Sequence, residues 1–106
     1  MKILYSPDVR EKLNSLKRQG RMDTVKRIVE EIDGLGETPY KYPSIERMLD
    51  IPSPYYALHE AHFYVFYRVE NDVVYVTDMY NEKEDFMWKM FGISLRTQES
   101  IDYWGE

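Results

Sequence analysis

The sequence has no cysteine, so disulfides, zinc–thiolate centres and thiol nucleophiles are excluded. No apolar run approaches the roughly 20 residues that cross a bilayer. The opening Met1-Lys2-Ile3-Leu4-Tyr5 is too short for the apolar core of a signal peptide. A cytoplasmic protein without membrane contact is therefore expected. Glycine and proline are scarce, five of each, and four of the prolines fall between residues 39 and 54. No repeat, linker or low-complexity tract marks a boundary, so residues 1–106 read as one domain, with 93–106 a polar tail. Asp78, Glu82 and Asp85 have no fixed ligand spacing, so neither metal nor cofactor is expected.

Positive charge is also in short supply, with a net charge of −5. It is unevenly spread. Residues 1–30 carry eight basic and four acidic side chains; the rest of the chain carries six and fifteen. A nucleic-acid binder shows a basic face to phosphates, and only the N-terminal part offers one. The same charges also suit two solvated helix faces.

What is present is regular patterning. Lys2–Tyr5 reads as a short strand. Ser6-Pro7-Asp8 is a helix start: a capping hydroxyl, a proline at the first helical position, and an acid at the positive end of the helix dipole. Val9, Leu13 and Leu16 form one apolar stripe, and Gly20 closes the helix. Val25, Ile28, Val29, Ile32 and Leu35 predict a second helix, stopped by Gly34, Gly36 and Pro39. The short join makes the two an antiparallel hairpin. Residues 38–54 are irregular, with one helical turn at 44–49.

Phe63, Val65, Tyr67 and Val69 alternate with Tyr64, Phe66 and Arg68, the period of a strand with two distinct faces. Asn71-Asp72 tolerates left-handed backbone and suits a two-residue hairpin into Val73-Val74-Tyr75-Val76. Tyr55–Leu58 starts the sheet. Asn81 with Glu84 has the spacing of an N-cap and its capping-box partner, leading into Phe86, Met87, Met90 and Phe91. The expected class is α+β: an N-terminal strand, an antiparallel helical hairpin packed on a mostly antiparallel sheet, and a C-terminal helix.

That order over residues 1–91 resembles the RelE/ParE toxin superfamily, the toxins of type II toxin–antitoxin (plasmid stabilisation) systems. The similarity rests on Ile3-Leu4-Tyr5-Ser6-Pro7-Asp8, on the helix ending at Gly34-Leu35-Gly36 before Pro39, and on Tyr56-Ala57-Leu58-His59. It extends through Phe63 to Val69 and through Asp78-Met79-Tyr80-Asn81. The resemblance implies a cognate antitoxin as partner. It also implies one of two activities: metal-independent mRNA cleavage at the ribosome, or ParE-like binding to DNA gyrase. The chain departs from the family where an arginine is common at the position of Tyr64, and where basic residues are common near Tyr80 and Asn81. A non-toxic interaction module of the same fold stays open, since ten tyrosines favour protein contacts.

If the resemblance implies nuclease chemistry, a 2′-hydroxyl attacks the adjacent phosphate. Such a reaction needs proton-transfer groups and cations. The candidates are His59, His62, Arg68, Tyr80 and Lys83 for catalysis, with Tyr64 and Asn81 for substrate binding; Glu60 is a further proton-transfer candidate. Histidine titrates near neutrality, which suits proton transfer. In one regular strand, however, His59 and His62 would face opposite sides. Arg68 has a plainer use as a cross-strand partner of Asp78 or Glu70, and Lys83 as a helix-start charge. Glu82 suits the first turn of a helix and would repel RNA. The antitoxin is expected to touch Lys17, Arg18, Arg21 or Arg27, and an apolar patch containing Phe86 and Trp88.

Overall fold

The computed structural model describes residues 1–84. The predicted C-terminal helix, the tail at 93–106, Phe86 and Trp88 lie outside the described residues.

Strand β1 (Lys2–Tyr5) leads into helix α1 (Pro7–Arg18) and helix α2 (Met22–Gly34). A short helix α3 (Ile45–Leu49) precedes strands β2 (Tyr55–Glu60), β3 (Phe63–Glu70) and β4 (Val73–Asn81). The strands form one sheet in the order β1-β4-β3-β2, in which only the β1–β4 pair is parallel. The class is α+β, with a mostly antiparallel four-stranded sheet and three helices among the described residues. No helix among the described residues is long and apolar enough to cross a membrane.

The helix ends follow local chemistry. Ser6 holds extended backbone, and its Oγ accepts the Val9 amide at 3.2 Å. After α1, Gly20 turns the chain at φ 75°, where a Cβ would be strained. Ser44 caps α3 in the same way as Ser6, accepting the Arg47 amide at 3.1 Å.

Both sheet faces are used. On one face, Val9, Leu13 and Leu16 of α1 and Val25, Ile28 and Ile32 of α2 close over Leu58, Phe63, Val65, Tyr67, Val74, Val76 and Met79. Each fully buried aliphatic side chain here contributes about 1.5–3 kcal/mol. On the other face, Ile45 of α3 packs with Ala57 and Phe66, flanked by Leu49, Tyr55, Tyr64 and Tyr80.

A bulge decides which residues join this second face. Phe66 pairs with Asp78, but Tyr67 pairs with Val76, so Thr77 is the extra residue on β4. Before the bulge, Val74 and Val76 point to the helices. After it, Met79 takes the core side and Tyr80 turns to the other face. Thr77 is tied in place, its hydroxyl donating to the Phe66 carbonyl at 3.3 Å while its carbonyl accepts the Ser6 hydroxyl at 2.8 Å.

Candidate functional site

The second face carries a row of side chains running across the sheet. His59 on β2 pairs with Tyr64 on β3, and Tyr64 pairs with Tyr80 on β4. The His59 and Tyr64 rings stack with centroids 4.3 Å apart and planes within 8°. At the far end of the row, the Lys12 ammonium of α1 lies 4.1 Å from the Tyr80 ring centroid. Lys12 also donates to the Met79 carbonyl at 2.6 Å and pairs with Asp8 at 3.2 Å. Burial pushes the Tyr80 phenol above its usual range, and the nearby Asp78 and Asp8 push the same way. Tyr80 is therefore a hydrogen-bond donor at neutral pH and not a base.

The histidines are not members of one regular strand. β2 ends at Glu60, and Ala61-His62 form a two-residue turn with φ 51° and 68°. The turn brings both imidazoles to one carboxylate. Glu82 binds His59 Nε2 through one oxygen and His62 Nδ1 through the other, each at 2.8 Å. Its backbone amide donates to the His62 carbonyl at 2.9 Å. The bonds from His59 and His62 hold the Glu82 carboxyl below its usual range. They also fix what each ring offers. With Nε2 engaged, His59 has Nδ1 left; with Nδ1 engaged, His62 has Nε2 left. The His62 side chain is 78% exposed, so its remaining nitrogen is open to an incoming group.

Beside this cluster lies a shallow cleft of about 260 Å³ lined by Arg21, His62, Asn81, Glu82 and Lys83. Asn81 and Glu84 make the predicted capping-box contact, the Asn81 amide donating to Glu84 Oε2 at 2.8 Å. The Lys83 amide donates to Asn81 Oδ1 at 2.9 Å. Arg21 precedes α2, and its guanidinium sits over the Phe63 ring at 5.6 Å.

The expected site residues thus separate. His59, His62, Tyr64, Tyr80, Asn81 and Lys83 gather at one end of the sheet. Arg68 does not join them: it is four residues along β3 from Tyr64, about 13 Å by strand rise. There its guanidinium stacks on Tyr75 at 4.6 Å and reaches Glu70 at 3.4 Å, a contact within β3 and not across strands. Of the expected antitoxin contacts, Arg18 is paired with Glu11 at 2.7 Å, and Lys17 and Arg27 are exposed on α1 and α2. Arg21 instead borders the histidine cluster.

Two contributors were not selected from sequence. Glu82 looked like a helix-start acid, and only the hairpin register brings it between the histidines. Lys12 is an ordinary i, i+4 partner of Asp8 in sequence, and the bulge is what turns Tyr80 towards it. Among the described residues, no group of three or more histidine and acidic side chains is arranged to hold a metal. Comparison with family models finds no match for this sequence, and no curated protein is significantly similar to it.

Proposed function

We propose that the chain is a toxin of the RelE/ParE class, held in check by a cognate antitoxin and acting by cleavage of mRNA at the ribosome. The observation that carries the reading is the pair of imidazoles on Glu82, beside the His59–Tyr64 stack. Strand cleavage by a 2′-hydroxyl needs one group to accept a proton and another to donate one. A carboxylate shared by two imidazoles fixes both rings side by side, each with one ring nitrogen left for proton transfer.

In this reading His62, through its open Nε2, takes the 2′-hydroxyl proton. The 2′-oxygen bonds to phosphorus, the bond to the 5′-oxygen breaks, and that oxygen receives a proton from His59. The products are a 2′,3′-cyclic phosphate and a 5′-hydroxyl. Glu82 orients both rings, and Tyr64 gives a base an aromatic surface. Tyr80, protonated and backed by Lys12, fixes the Tyr64 side of the row.

The test is induction of the chain alone in a bacterial host, with protein synthesis followed by pulse labelling and mRNA ends mapped. Collapse of translation together with new 5′-hydroxyl mRNA ends is expected. Translation arrest or growth arrest with intact mRNA would defeat the nuclease reading. Arrest of supercoiling in its place would move the target to gyrase.

A further inference from the structure

The cleft between the start of α2 and the end of β4 holds more donors than acceptors. The carboxylate that lines it, Glu82, and that of the neighbouring Glu84 are both engaged. Both oxygens of Glu82 are bound by imidazoles, and Glu84 accepts the Asn81 amide. Asn81 Oδ1 is taken by the Lys83 amide. Among the described residues, neither the Arg21 guanidinium nor the Lys83 ammonium has an ion-pair partner, and both residues are exposed. The Arg21 guanidinium lies over the Phe63 ring at 5.6 Å and lines the cleft.

We infer that this cleft is a subsite for a phosphodiester group of single-stranded RNA. Arg21 and Lys83 would bind the phosphate, with the Asn81 amide and His62 Nε2 at its margin. The inference rests on the nuclease reading but specifies what that reading leaves open. It assigns a second phosphate, next to the one undergoing cleavage and on the helix side of Glu82, away from the Tyr64–Tyr80 surface. A planar guanidinium suits two phosphate oxygens at once, and a lysine adds a mobile point charge. The cleft's volume of about 260 Å³ and shallow shape fit a backbone phosphate passing over the surface. Arg21, first expected to meet an antitoxin, is here a nucleic-acid contact.

The test is binding of a fluorescein-labelled single-stranded RNA to the full chain by anisotropy, across a series of salt concentrations. Its probe carries 2′-O-methyl groups, which prevent cleavage. Matched single-stranded DNA and inorganic phosphate serve as competitors. Arg21→Gln and Lys83→Gln should each lower the log–log salt slope by about 0.7, the value per phosphate contact on a single strand. Lys26→Gln, an exposed change elsewhere on α2, should leave the slope unchanged. Displacement by inorganic phosphate alone at low millimolar concentration would identify a free-phosphate site and overturn the RNA assignment. Equal slopes for all three variants and the wild type would overturn the subsite. So would wild-type protein that fails to bind RNA at low salt. Ribosome-coupled mRNA cleavage, measured in parallel, separates the two ideas: if it persists when the slopes do not move, the subsite fails and the nuclease reading stands.

Discussion

The three long strands are joined by two turns with nearly the same backbone and different residues. Asn71-Asp72 holds φ 51° and 61°; Ala61-His62 holds φ 51° and 68°. Asparagine and aspartate accept this region readily, whereas left-handed backbone costs an ordinary L-residue about 1–2 kcal/mol. The inexpensive turn lies at the Arg68 end of the sheet, where no histidine is found. The costly one carries His62 into contact with Glu82. Its conformation is maintained by the β2–β3 ladder and by the Glu82 amide on the His62 carbonyl. The strain at Ala61-His62 fits the role proposed for His62.

The largest expected contrast is in activity. His62→Ala should reduce mRNA cleavage by about 100- to 10,000-fold, the usual range for a proton-transfer group. Asn71→Ala should leave the cleavage rate per folded molecule unchanged. Single-turnover cleavage rates on purified proteins decide it, and equal rates for the two variants would remove the functional meaning of the comparison.

A smaller contrast concerns stability, and its sign reverses between the turns. Ala61→Asn should stabilise the chain by about 0.5–1 kcal/mol by relieving left-handed strain. Asn71→Ala should destabilise it by about 1 kcal/mol, for the same reason in reverse. Urea midpoints measure both. A loss of stability for Ala61→Asn would show that the alanine methyl, which packs against the main core, outweighs the strain.

The smallest contrast depends on pH. The Glu82 carboxyl titrates lower in the folded chain than when unfolded, where the ordinary value is about 4.5. Its contribution to stability is therefore fully present above pH 4.5 and fades as the pH falls through the lower folded value. Corrected for the intrinsic rate, exchange of the amide at position 82, which donates to the His62 carbonyl, should speed up over that acidic interval in the wild type. In Glu82→Gln the acid-dependent increment should be absent. The amides of Asn71 and Asp72 should show no difference between the two proteins.

The same two turns show how much of the molecule was legible in the sequence. Ser6-Pro7, the apolar stripes of α1 and α2, the Ser44 turn and Asn71-Asp72 act through neighbours in the chain, so their residue types announce them. Ala61-His62 are not turn formers by type, and spacing alone set the two histidines on opposite faces. Tyr80 shares the parity of Val74 and Val76, and only the extra residue at Thr77 separates it from them. The parallel pairing of β1 with β4 joins segments some seventy residues apart and leaves no local trace. Candidate residues could thus be named from type, while their assembly around Glu82 depended on register, bulge and turn. Arg68 shows the converse, a plausible cation that register carries to the wrong end of the sheet.

The overhang of β4 has a consequence for how the molecule keeps its own company. β1 covers Val73–Val76 only, so among the described residues no strand neighbours the outer rim of β4 from Thr77 onward. Bare rims of this kind template pairing between molecules and lead to aggregation. Here the Ser6 hydroxyl occupies the Thr77 carbonyl and the Lys12 ammonium occupies that of Met79, leaving a positive charge where another strand would have to approach. Lys12 is in this sense a guard on solubility: with leucine in its place, the sheet would offer its unguarded rim to every other copy in solution.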